Sequence, residues 1–71
     1  MGRDLKRSLT IAGHRTSLSL EPEFWEALRK AAARRKLSAA ALAAEIDQTR
    51  GGRNLSSAVR VWLLNEAGDR R

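Results

Sequence analysis

Between Arg15 and Leu20 the side chains alternate with a period of two, and Glu21 and Pro22 follow at once with a helix start. A strand over these residues carries Thr16, Leu18 and Leu20 on one side and Arg15, Ser17 and Ser19 on the other, so it offers an apolar face and a hydrogen-bonding face. One strand alone cannot satisfy its own backbone donors and acceptors, and this restricts the fold more tightly than any other feature. The shortest solution is a two-fold dimer in which copies of the strand pair antiparallel over a shared helical core. Upstream, Leu9 and Ile11 alternate with Thr10 before Ala12 and Gly13 interrupt. That pattern leaves open whether residues 9–11 form a separate strand folding back across Gly13. Residues 1–8 are polar and basic, and read as a mobile arm able to touch phosphates.

Pro22 suits the first turn of a helix, and Glu21, Glu23 and Glu26 place negative charge near the positive end of its dipole. This helix is expected to reach about Arg35, with Phe24, Ala27, Leu28, Ala31 and Ala32 on one face and cations crowding its last turns. Leu37 and Ser38 read as a turn and an N-cap, opening an alanine-rich second helix with Leu42 and Ile46 one turn apart. It should end near Arg50, before the loop glycines Gly51 and Gly52. A third helix is signalled by Asn54 as cap and by Leu55, Ala58, Val59, Trp62 and Leu63, with Gly68 placed to end it. Arg60 and Glu66 fall on its outer side, and residues 69–71 read as a frayed tail. The expected organisation is therefore a basic arm over 1–8, a core over 9–50, and a third helix over 51–68 packed on that core.

A chain of 71 residues supports one small domain. With no cysteine and one histidine it offers no disulfide, no thiolate zinc site and no Cys/His nucleophile pair, which leaves association as the expected means of stabilisation. No cofactor or metal is expected. His14 has no companion ligand spaced near it and reads as a solvated residue beside a turn. No apolar run approaches the length of a membrane span, and no secretory signal is evident, so a cytoplasmic, nucleoid-associated protein is expected. A net charge of +6 and a pI near 11.4 favour a polyanionic partner, with nucleic acid ahead of anionic membrane.

Over Arg15 to Ile46, "RTSLSLEPEFWEALRKAAARRKLSAAALAAEI" resembles the ribbon-helix-helix (Arc/MetJ-like) superfamily in its alternating strand, its proline-opened helix, its basic turn and its Ser-capped second helix. The stretches "KRSLTIAGHRTSLSLEPEFWEAL" and "NLSSAVRVWLL" resemble a bacterial subfamily that appends a third helix. The resemblance implies a mainly α fold with one short N-terminal strand, intertwined as a homodimer through an antiparallel intersubunit ribbon. It further implies that Arg15, Ser17 and Ser19 face the bases of double-stranded DNA in the major groove. The start of the second helix, Ser38 and Ala39, would hold a phosphate, with Arg34, Arg35, Lys36, Lys6 and Arg7 as further phosphate contacts. Leu18, Leu20, Phe24, Leu28, Leu42 and Ile46 would fill the dimer core. Ser17 and Ser19 are shorter than the polar side chains that better-known repressors present there.

A binding protein that acts by occupancy, as repressors and antitoxins of this superfamily do, is the leading functional expectation. An adaptor or antitoxin-like partner-binding module on the same dimer, with weak or no DNA binding and a protein partner docked through Trp62 or Leu64 of the third helix, is the alternative. Catalysis is not expected, because the acidic residues mark helix starts and outer faces and do not converge. Trp25 and Trp62 fall on or beside apolar faces and read as packing residues; a base-stacking platform would need aromatics on the strand.

Overall fold

The computed structural model describes residues 4–69. The expected arm residues Met1 to Arg3, and Arg70 and Arg71 of the expected tail, lie outside that range. The chain runs β1 (Leu5–Ile11), β2 (His14–Leu20), α1 (Pro22–Arg34), α2 (Ala39–Gln48) and α3 (Leu55–Asp69).

Two strands, not one, stand at the N-terminus. β1 pairs antiparallel with β2 in a register that sets Leu5 opposite Leu20 and Ile11 opposite His14. The two residues between them, Ala12 and Gly13, both have positive φ (53° and 82°), the combination that joins tightly twisted strands in a two-residue hairpin. Leu5 to Ser8, expected in the arm, thus belong to a strand. The polar run Lys6-Arg7-Ser8 hides this, although Leu5, Leu9 and Ile11 keep one parity. Pairing expected between copies of one strand is made by β1 and β2 within the chain.

On the inner side of the hairpin, Leu9 packs against the core and Ile11, Leu18 and Leu20 are buried. The helices meet this face with Leu28, Ala31 and Ala32 of α1, Leu42, Ala43 and Ile46 of α2, and Ala58, Val59 and Leu63 of α3. The short alanines let the helix axes approach closely, and the leucines fill the remaining space. The residues expected to await a partner subunit are accordingly enclosed by one chain: Leu18, Leu20, Leu28 and Leu42 have no exposed surface, Ile46 has 3% and Phe24 is half-buried. β1 and α3 supply the cover that a second copy was expected to give.

Local chemistry fixes the helix ends. The amide of Leu37 donates to the Ala32 carbonyl at 2.8 Å and that of Lys36 to Ala33 at 3.0 Å, with Lys36 at φ 60°; this is a Schellman closure of α1. The Ser38 hydroxyl caps α2 by accepting from the Ala41 amide at 3.0 Å. Asn54 Oδ1 caps α3 by accepting from Ser57 at 2.8 Å. Gly68 does not end α3, which runs on to Asp69; its φ is not in the left-handed region that a glycine stop requires.

Arg60 and Glu66, expected on the outer side of α3, instead tie it to the rest of the chain. Arg60 donates from Nε to Glu21 at 2.9 Å and lies 3.5 Å from Asp4, with its guanidinium over Phe24. Glu66 accepts from Arg35 at 3.3 Å. Among the described residues no helix is long and apolar enough to cross a membrane.

Candidate nucleic-acid interface

A two-residue hairpin loop makes Ile11 and His14 a hydrogen-bonded pair, and the pairs then alternate along the ribbon. Leu9 with Thr16, Arg7 with Leu18 and Leu5 with Leu20 exchange backbone bonds, while Thr10 with Arg15, Ser8 with Ser17 and Lys6 with Ser19 do not. The second set points its side chains away from the core. All six are exposed except Ser19, which is half-exposed. The outer face therefore carries two cations, Lys6 and Arg15, and four hydroxyls, Ser8, Thr10, Ser17 and Ser19, with no acidic residue among them.

The ribbon is fixed to the helices by apolar burial on its opposite face and by polar ties along its edges. The Trp25 indole N–H donates to the Leu5 carbonyl at 2.8 Å, and the Ser19 amide donates to the Ser56 hydroxyl at 3.3 Å. That second bond occupies one of the outward amides on the free edge of β2.

The sequence-derived residues separate into three places. Arg15, Ser17 and Ser19 lie on the outer ribbon face, and Lys6 joins them there. Arg7 has the opposite parity and lies 5.2 Å over the Trp25 ring, lining a cleft of about 300 Å³ that Ala39 and the paired Arg29 and Glu26 also line. Ser38 and Ala39 stand at the α2 start beside β1. Because the Ser38 hydroxyl takes the Ala41 amide, the Ala39 and Ala40 amides keep no intrachain acceptor among the described residues. The third place is the end of α1. Arg34 and Lys36 are exposed there, but Arg35 stacks 5.0 Å over Trp62 and pairs with Glu66. Glu66 is ten residues beyond Ser56 on α3, or about 15 Å along the axis, so Arg35 is held well away from the ribbon.

Sequence reasoning missed Ser8 and Thr10, which share the outer face with Arg15 and Ser17. It also missed the flank of β2, where Ser56, Ser57, Asn54, Arg50, Arg60 and the acidic Asp4, which pairs with Arg60, line a groove with Thr16, Ser17 and Ser19. The ribbon is thus bordered by the start of α2 along β1 and the start of α3 along β2.

Electrostatically, Arg60 ties α3 to Glu21 at the junction of β2 and α1, and among the described residues this carboxyl is shifted. The hydrogen bond from Arg60 holds the Glu21 carboxyl below the usual carboxylate range, helped by a backbone hydrogen bond and by the Arg60 charge. No group of three or more His, Cys, Asp or Glu that could hold a metal is present among the described residues.

Neither a curated protein nor a solved structure matches the chain at a significant level. A family profile described as "Ribbon-helix-helix domain" matches residues 5–67, nearly the whole length and including both strands and most of α3. Members of that family are typically non-enzymatic regulators and generally form dimers that bind DNA. With a two-stranded antiparallel ribbon leading into helices and a match spanning all five elements, the chain belongs to the ribbon-helix-helix domain family.

Proposed function

We propose that this protein is a transcriptional regulator that binds double-stranded DNA as a homodimer, setting its β-ribbon in the major groove and acting by occupancy. The observation that carries the reading is the outer ribbon face, whose six paired residues are all basic or hydroxyl-bearing and which is backed by the buried core beneath it; Asp4, at its border, is paired with Arg60. Arg15 can give two hydrogen bonds to the O6 and N7 of guanine, and Ser17 and Ser19 can donate to or accept from several base edges. Short hydroxyls give modest base discrimination, so phosphates supply much of the affinity. The open amides at Ala39, beside Ser38 and flanked by Arg7, suit a phosphate at the edge of the groove. Arg34 and Lys36 add charge near the α1–α2 turn.

Leu64, at 70% the most exposed large hydrophobic among the described residues, is a feature that favours a protein-docking adaptor. A single exposed leucine is ordinary on a soluble surface, and Trp62 beside it is covered by Arg35, so this reading has less support.

Replacement Arg15→Ala tests the assignment. It should weaken binding to a selected duplex about tenfold or more and flatten the preference at one base pair, as read by anisotropy against a panel of single-base variants. Unchanged affinity and preference across the panel would remove Arg15 from the reading face.

A further inference from the structure

We infer that the hairpin is a pseudo-two-fold ribbon made by one chain, in which Lys6, Ser8 and Thr10 of β1 duplicate the DNA-reading roles of Arg15, Ser17 and Ser19 of β2. The inference rests on the DNA-binding reading above and assigns base contacts to β1.

Two independent observations coincide. In sequence, β1 (LKRSLTI) and β2 (HRTSLSL) are degenerate copies: Lys6 matches Arg15, Ser8 matches Ser17, Leu9 matches Leu18, Thr10 matches Ser19 and Ile11 matches Leu20. In structure, the register places Ser8 opposite Ser17, Lys6 opposite Ser19 and Thr10 opposite Arg15. A two-fold axis through the Ser8–Ser17 pair carries Lys6 onto Arg15 and Thr10 onto Ser19, the same correspondence that the sequence copies give. The face it generates has a cation at each of two diagonal corners, a serine pair at its centre, and a hydroxyl opposite each cation. Leu9 and Leu18, with Ile11 and Leu20, form the matching inner face.

This is the arrangement that two copies of a single strand would make across a dimer axis, produced here within one chain. Dimensions agree with it. Three outward residues per strand span about 13 Å, close to four base-pair steps, and two strands about 4.8 Å apart fit a groove about 12 Å wide. A four-stranded sheet built by adding a second copy of β2 to the free edge would be too broad for that groove. It would also have to displace the Ser56 hydroxyl from the Ser19 amide. The ribbon of one chain therefore reads a short, nearly palindromic element, its two ends contacted by Lys6 and Arg15.

The test uses the full chain and a duplex enriched from a random library. Thermal melts first check that Lys6→Ala, Ser8→Ala, Arg15→Ala and Ser17→Ala keep the fold, which their exposure favours. The expected result is that Ser8→Ala and Ser17→Ala each weaken binding about three- to tenfold. Lys6→Ala and Arg15→Ala should relax base preference at mirror-related positions of the enriched element. If Arg15→Ala and Ser17→Ala alter the preference while Lys6→Ala and Ser8→Ala leave both preference and affinity unchanged, DNA binding stands but the one-chain ribbon is overturned. If the unaltered chain enriches no duplex and binds none at low salt, the DNA-binding reading itself falls, and the inference with it.

Discussion

Lys36 sits at φ 60°, where a side chain costs roughly 1–2 kcal/mol and where helices commonly place glycine. Replacement Lys36→Gly should therefore raise stability by about 1 kcal/mol in thermal or denaturant unfolding. If Lys36 contacts phosphate, the same change should weaken DNA binding for all sequences alike; a more stable protein with unaltered affinity would leave Lys36 as a turn residue only. Glu21 offers a test of another kind. Its carboxyl is held low in the folded chain, so its pairing contributes stability that is fully present above the ordinary carboxylate range. That contribution is lost as the pH falls through the lowered folded value. Replacement Arg60→Gln should reduce this acid-side loss, measured as the difference in melting temperature between neutral and acidic buffer. An identical acid sensitivity in the two proteins would show that the Arg60 tie contributes nothing to the linkage.

The elements differ in how openly the sequence announces them. α1 and α2 are legible because proline, the Ser38 cap and apolar spacing agree, and the parity of β2 is legible because no residue breaks it. β1 is obscured by Arg7, which holds an inward position yet is polar, stacking over Trp25 where Leu5 and Leu9 pack. The nine-residue offset between the strand copies was the available signal, together with the two-residue gap at Ala12-Gly13. Arg60 and Glu66 were misplaced because a charged side chain on a helix reads as solvated unless its partners on distant segments are known. α3 looks appended in sequence but forms one wall of the core, with Val59 fully buried and Leu63 6% exposed. Leu63→Ala should cost about 2–4 kcal/mol, enough to unfold a large fraction of so small a domain near 37 °C, by circular dichroism. Wild-type stability in that variant would mean that α3 is dispensable to the fold.

For the molecule as a whole, a radius of gyration of 11.5 Å agrees with the roughly 11 Å expected of a compact globule of this length, so one chain closes its own core. Leu18→Asp should accordingly unfold the protein outright, since it buries a charge inside the chain and not merely at a subunit boundary. The net charge of +6 acts at this scale too, drawing the protein to polyanions before any specific contact forms. The measurement that tests the central claim most directly is a fluorescence-anisotropy titration of the chain against random-sequence duplex DNA across a series of salt concentrations. Binding should be micromolar or tighter at low salt and fall roughly a hundredfold between about 50 and 200 mM, the slope of about four phosphate contacts. A folded protein that leaves duplex DNA unbound even at low salt would contradict the account and turn attention to Leu64 and a protein partner.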